Sequence, residues 1–164
     1  MTSFKHTLLI LLVTLLIISI DQSSKSWAST YLNNYPVESY FRDLLRLGYH
    51  ENVGAFLGLG NNLSEQIRFI LFVVLVGGIL FFLLMYLVFN LKKNASSILA
   101  LSLIFSGGLS NFYDRIANSG AVVDFLNVGI GSLRSGIFNV ADIAIMLGVL
   151  LFVCTREKIK VINE

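Results

Sequence analysis

Four aspartates, Asp21, Asp114, Asp124 and Asp142, lie inside or within a few residues of apolar stretches long enough to cross a bilayer. An ionisable group at that depth costs about 2.5–3.5 kcal/mol on insertion scales and marks a functional site by default. Two of them, Asp124 in AVVDF and Asp142 in FNVADIA, fall near the same membrane surface. Two carboxylates sharing a low-dielectric site cannot both ionise cheaply, so one keeps its proton and the pair titrates as a unit. The ionised member then draws a proton from water while the protonated one donates to a carbonyl oxygen, which is hydrolytic chemistry of the aspartic type. Each aspartate also has a plainer use. Asp142, about one turn into a helix after Asn139, could simply cap that helix or join an ion pair.

Two further constellations stand near these carboxylates. In GGLSNFYDR, helical spacing puts Asn111 and Arg115 on one face at i and i+4, with Asp114 close to it at i+3 from Asn111. The adjacent Asp114 and Arg115 read as a structural clamp, with Arg115 also available to substrate carbonyls or lipid head-group oxygens. Gly107 and Gly108 permit close helix approach. Asp21 and Lys25 form an i, i+4 pair in the favoured order, serving either as a helix-end ion pair or as a substrate contact. Asn52 and Gly54, in ENVGAF, offer an amide side chain and exposed backbone to an extended peptide.

The elements that hold these groups must be membrane helices. The chain has 164 residues, 55% of them hydrophobic and only 13% charged. Soluble domains carry about 25% charged residues. Four spans are expected, at about 6–30, 66–91, 95–115 and 137–155, since a span needs about 20 residues. The first apolar run resembles a signal peptide superficially, but the charged DQSSK follows it directly instead of a small-residue cleavage region, so it is expected to stay as a span. Lys5, Lys92, Lys93, Arg156, Lys158 and Lys160 flank the other ends of the spans, so both termini are expected in the cytoplasm. Segments 31–65 and 116–136 then lie outside, the second as a loop. In 31–65, the weak alternation of LLRLGYH predicts a small sheet lying on the membrane, with Leu45, Leu47, Tyr49, Phe56 and Leu57 facing lipid or substrate.

Composition argues against other chemistries. The net charge of +2 gives no footprint for nucleic acid. His6 and His50 match no zinc pattern, and HENVG lacks the second histidine of a metallopeptidase helix. No metal or cofactor is therefore expected. A proton- or ion-coupled transporter would need polar groups at several depths, whereas the cytoplasmic halves of the spans read as almost purely apolar.

Taken in order, five phrases resemble those of the bacterial lipoprotein signal peptidases, the type II signal peptidases. They are Asp21-Gln22-Ser23-Ser24-Lys25, Asn52-Val53-Gly54-Ala55-Phe56, Asn111-Phe112-Tyr113-Asp114-Arg115, Val122-Val123-Asp124-Phe125 and Phe138-Asn139-Val140-Ala141-Asp142. The resemblance covers roughly residues 7–155. It implies an all-α, four-helix membrane protein with a small extracytoplasmic β-sheet subdomain. It implies an aspartic endopeptidase of the bacterial inner membrane, active site outward, that cuts diacylglyceryl-prolipoproteins before the lipidated cysteine. Asp124 and Asp142 carry over as the catalytic dyad. Asn52, Gly54, Asn111, Arg115 and Asn139 carry over as substrate-positioning or site-shaping residues, and Asp21, Lys25 and Asp114 as supporting polar groups. Membrane lipids are implied partners, and cyclic peptides of the globomycin type are implied inhibitors that would occupy the dyad. An inactive member acting as a lipoprotein-binding partner is the competing reading, which the intact dyad disfavours. The chain departs from the family's phrases at Phe56, Leu57 and Ser110, where bulkier or more polar side chains are expected to narrow the outer pocket.

Overall fold

A computed structural model of the chain describes residues 2–55, 59–90 and 94–155. Four helices and four strands run in the order α1 (Thr2–Tyr31), β1 (Glu38–Tyr40), β2 (Leu45–Asn52), α2 (Glu65–Phe89), α3 (Ala95–Ala117), β3 (Val122–Ile130), β4 (Leu133–Arg134) and α4 (Val140–Cys154). Three helices start on side-chain caps: Ser64 accepts from the amide of Ile67, Asn94 from that of Ser97, and Asn139 from that of Asp142. Helices α1, α2 and α3 are long and apolar enough to cross a bilayer. The expected fourth span begins three residues later than 137, because Phe138 is paired with Leu126 and Asn139 is the cap. Its 15 residues cover about 22 Å at the helical rise. The basic residues that set the expected orientation between α2 and α3 and after α4 lie outside the described residues, as do Phe56 and Leu57.

Helix α3 is the hub, packed against α1, α2 and α4. One face is apolar, with Ile98, Leu101 and Phe105 buried against Ile10 of α1 and Leu80 and Leu87 of α2. Ser102, Ser106 and Ser110 recur every fourth residue, each with no exposed surface, and Ser106 donates to Thr14 of α1 at 3.1 Å. Small and hydroxyl side chains let membrane helices approach closely and bond across the interface. The two expected glycines serve different neighbours. A Cβ on Gly107 would collide with the Ala141 carbonyl of α4, and one on Gly108 would meet Leu80 of α2 at 2.8 Å. Gly148 returns the contact from α4, where a Cβ would lie 2.7 Å from the Ala100 carbonyl.

The outer segments together make one antiparallel sheet of order β1-β2-β3-β4. The expected loop 116–136 therefore supplies two strands. Its run VVDFLNVGI is apolar at successive positions near the site, and its longest pairing is with β2, 70 or more residues earlier in the chain. In the outer half of the sheet, register segregates the faces. Tyr40, Leu45, Leu47, Leu126, Val128, Ile130 and Leu133 share one face, while Ser39, Arg46, Asn127 and Arg134 share the other. The polar face is tied together at Asp43, which accepts from Ser39 at 2.6 Å, from Arg46 at 2.7 Å through both oxygens, and from Arg134. The Arg46 guanidinium holds the Asp43 carboxyl well below the usual carboxylate range. This network anchors a turn in which Phe41, Arg42 and Asp43 all take positive φ. Leu47 and Tyr49 do not face lipid or substrate as expected. They pack with Leu126 against Ala28 and Leu32 of α1 and Phe125, because the outer end of α1 rises beneath the sheet.

Gly107→Val should separate α3 from α4 just where Asp142 begins its helix. It should cost about 1–3 kcal/mol of stability, the usual range for overpacking. Gly78→Ala, whose Cβ would meet nothing within 4 Å, should leave stability unchanged or slightly raised. Thermal unfolding of both variants in detergent tests the contrast.

Candidate active site

Asp124 sits on β3, opposite His50 of β2, and is 2% exposed. Asp142 sits at the third residue of α4, and its side chain caps that helix by accepting from the Asn139 amide at 3.1 Å. Among the described residues no hydrogen bond joins the two carboxylates directly. Asn139 links them: its Nδ2 donates to Asp124 at 2.7 Å and its Oδ1 accepts from the Asp142 amide at 3.0 Å. The second oxygen of Asp124 accepts from Asn52 at 2.9 Å, and the second oxygen of Asp142 accepts from Asn111 at 2.9 Å.

Each of the three asparagines is held in one orientation by a group that can only donate. The Asp142 amide occupies Oδ1 of Asn139, the Gly54 amide occupies Oδ1 of Asn52 at 3.0 Å, and the Lys25 ammonium occupies Oδ1 of Asn111 at 2.8 Å. Every Nδ2 is thereby turned toward a carboxylate. Gly54 is required for a second reason. A Cβ there would lie 2.6 Å from the Leu59 carbonyl and inside the Asn61 side chain.

Arg115 is half-buried above the same site. It donates to the carbonyl of Gly120 at 2.9 Å and to that of Gly54, and its guanidinium lies 4.9 Å from the ring centre of Phe72. Phe72 belongs to the π-helical segment Ile70–Leu75 within α2, a local irregularity often found at functional sites. The expected clamp between Arg115 and Asp114 is not made. Neighbours in a helix point about 100° apart, and Asp114 turns instead toward α1, where it meets Lys25 at 2.8 Å and Gln22 at 2.8 Å.

The Asp21–Lys25 pair is present at 2.6 Å, but as part of a larger buried cluster. The three ammonium protons of Lys25 go to Asp21, Asp114 and Asn111. The other oxygen of Asp21 accepts from the Ala141 amide at 2.8 Å, at the first turn of α4. Ser110 and Gln22 complete the cluster. Ser110 donates to Asp21 at 2.7 Å, and Gln22 donates to Ser110 at 3.0 Å. Ser110 therefore lines no outer pocket, contrary to expectation; it is fully buried between α1 and α3. The four-residue spacing of Ser106, Ser110 and Asp114 was the available signal that all three face α1.

From Asp142 a groove of about 510 Å³ runs down α4, lined by Ile145, Met146, Val149, Leu150 and Val153. Below Asp142 its lining is wholly apolar. Polar chemistry is thus confined to its head, where Asp142 meets Asn111 and Asn139. Burial pushes the Asp124 carboxyl up to about 6, with the Asp142 charge adding to the rise and the bonds from Asn52 and Asn139 opposing it.

The folded state therefore binds a proton at Asp124 more tightly than the unfolded chain does. The cost of burying the anion is absent below the ordinary value of 3.8, complete above about 6, and grows as pH rises between them. Relative to Asp124→Asn, the wild type should lose up to about 3 kcal/mol between about pH 4 and pH 7.5. Unfolding midpoints of the two proteins across that range measure it.

The family model for signal peptidase (SPase) II matches residues 13–156. A lipoprotein signal peptidase of Wigglesworthia glossinidia brevipalpis is 33% identical over 93% of this chain and 95% of its own length. One from Staphylococcus haemolyticus is 35% identical over 90% of each. A bacterial membrane enzyme solved in meso at 2.3 Å superposes with a TM-score of 0.76 at 30% identity, covering 88% of this chain and 85% of that one. A second, solved at 1.9 Å, gives 0.74 at 28% identity over 91% and 94%. A match that runs from the first span through α4, and takes in the sheet between them, makes the chain a member of the signal peptidase II family.

Proposed function

We propose that this protein is an aspartic endopeptidase that removes signal peptides from diacylglyceryl-modified prolipoproteins, cutting before the lipidated cysteine. The observation that carries the reading is the pair of carboxylates bridged by Asn139 at the head of an apolar groove. We assign the shared proton to Asp124, whose burial favours the neutral carboxyl. Asp142 takes a proton from water, whose oxygen attacks the scissile carbonyl carbon. Asp124 gives its proton to the carbonyl oxygen as the tetrahedral intermediate forms. On collapse, Asp142 passes its proton to the nitrogen as the C–N bond breaks, Asp124 takes a proton back from the gem-diol as the new carbonyl forms, and a carboxylic acid and an amine leave with both aspartates reset.

Asn52, Asn111 and Asn139 keep donors aimed at the two aspartates through this cycle, and Arg115 holds Gly54 so that Asn52 stays in reach. The apolar groove below Asp142 suits the signal helix or acyl chains of a substrate anchored in the same bilayer, which keeps its scissile bond at the membrane surface. In this reading the enzyme sits in the bacterial inner membrane with both termini cytoplasmic and the sheet outside. Cyclic peptides of the globomycin type would compete for the dyad, and lipids would flank the groove. No cofactor takes part.

Purified protein incubated with a diacylglyceryl-prolipoprotein should shorten it, and the unlipidated form should be cut far more slowly. Asp124→Asn and Asp142→Asn should each lose turnover by about 10⁴-fold or more while still inserting, and the double variant should be no worse than either, because residues acting as a unit are non-additive. Equal rates on the two substrates, or substantial cleavage by either variant, would refute the proposal. A gel shift of the product is sufficient readout.

A further inference from the structure

We propose that Ser110 is a positioning residue for the reaction, acting through Lys25 and Asn111 on Asp142. The inference rests on the functional reading above and concerns a side chain that touches neither catalytic aspartate.

The argument begins with a count of donors. Lys25 has three protons, and all three are used, on Asp21, Asp114 and Asn111. The first two acceptors carry charge and the third does not, so the ammonium is pulled toward the carboxylates and away from the amide. What keeps it within 2.8 Å of Asn111 is the supply of other donors to those carboxylates. Ser110 gives Asp21 a second donor on the same oxygen that meets Lys25, at 2.7 Å, and the Ala141 amide satisfies its other oxygen. Gln22 gives Asp114 a donor on the oxygen that Lys25 does not meet, and the Ser110 hydroxyl, accepting from Gln22 at 3.0 Å, ties the two halves together. Asp21, Lys25, Asp114 and Ser110 are all buried, so no bulk water replaces a lost donor.

Without the hydroxyl, the Asp21 oxygen keeps Lys25 alone. The ammonium then moves toward Asp21, and its bond to Asn111 weakens. Oδ1 of Asn111 is held by two side chains, Lys25 at 2.8 Å and Asn139 at 3.1 Å, whereas Asn52 and Asn139 are held by backbone amides. With Lys25 drawn off, Asn111 keeps only the longer bond from Asn139 on its Oδ1, and its Nδ2 is free to shift away from the Asp142 carboxylate. The site would still bind substrate, but the carboxylate that must take the water proton would lose one of its two donors.

The test separates this from a role in stability alone. Ser110→Ala should lower kcat about fivefold, the effect expected of one uncompensated buried bond, with KM changed less than about twofold. Ser110→Thr, which keeps the hydroxyl, should restore most of the rate. In protein labelled with ¹⁵N-asparagine, the side-chain amide resonances of Asn111, identified by their loss in Asn111→Ala, should shift in Ser110→Ala and return in Ser110→Thr. A lower melting temperature in Ser110→Ala with unchanged kcat and unshifted Asn111 resonances would overturn the proposal. So would equal loss of rate in folded Ser110→Thr and Ser110→Ala. Should the wild type fail to cut lipidated substrate, the functional reading falls, and the Asn111 resonances still decide whether Ser110 governs that amide.

Discussion

One buried ammonium organises this molecule. Lys25 is 3% exposed and makes two ion pairs and one hydrogen bond, which join α1 to α3 through Asp114 and Asn111. Its partner Asp21 reaches α4 through the Ala141 amide, and Asp114 reaches β3 through the Val123 amide at 3.4 Å. Three helices and the sheet thus meet at one cation flanked by two anions. Charge is not balanced inside the cluster, and the excess is offset by neutral donors from Ser110, Gln22 and the two backbone amides. A buried ion pair is weak evidence for stability as such, because desolvation consumes much of the attraction, but removing one partner costs about 3–5 kcal/mol. Its value here is register: the cluster forms in one relative placement of α1, α3 and α4, whereas the apolar contacts of Ile10, Leu80 and Phe105 would tolerate sliding.

In the proposed mechanism the same cluster prepares the chemistry. An asparagine side chain is ambiguous until something chooses its orientation, and here a lysine and two backbone amides choose it three times over. Donors already aimed at a carboxylate need no reorganisation during reaction, and in a water-poor site that is where most catalytic stabilisation arises. Arg115 extends the principle to the backbone. By holding the carbonyls of Gly54 and Gly120, it fixes the two segments that carry Asn52 and Asp124 toward the site.

The parts of this arrangement that could be read from sequence were those set by spacing within one helix. Asp21 and Lys25 at i, i+4, and Asn111 and Arg115 on one face, needed only helical periodicity. The misplaced parts depend on contacts across the chain. Asp114 and Arg115 are adjacent in sequence, yet they serve α1 and the outer loops respectively, and nothing local indicates which neighbour each will meet. Strand β3 looked like loop because its apolar run alternates weakly and its partner β2 is distant. Leu47 and Tyr49 looked lipid-facing because the rise of α1 beneath the sheet, where Ala28 and Leu32 cover them, is a tertiary fact. Ser110, read as a lining residue, is internal because Asp21 lies across from it.

Asp142 shows why the plain and the catalytic readings of a polar residue need not compete. One of its oxygens completes a capping box with Asn139, and the other is held by Asn111. The capping role forces α4 to begin at residue 140, with Phe138 drawn into pairing with Leu126 beside Asp124. The helix therefore starts at the sheet, and the cap residue that starts it is the one that bridges the two carboxylates. A carboxylate projecting from mid-helix would need its own set of donors to survive at this depth. At the third residue of α4, the helix end supplies them, and the remaining lone pairs stay available at the head of the apolar groove.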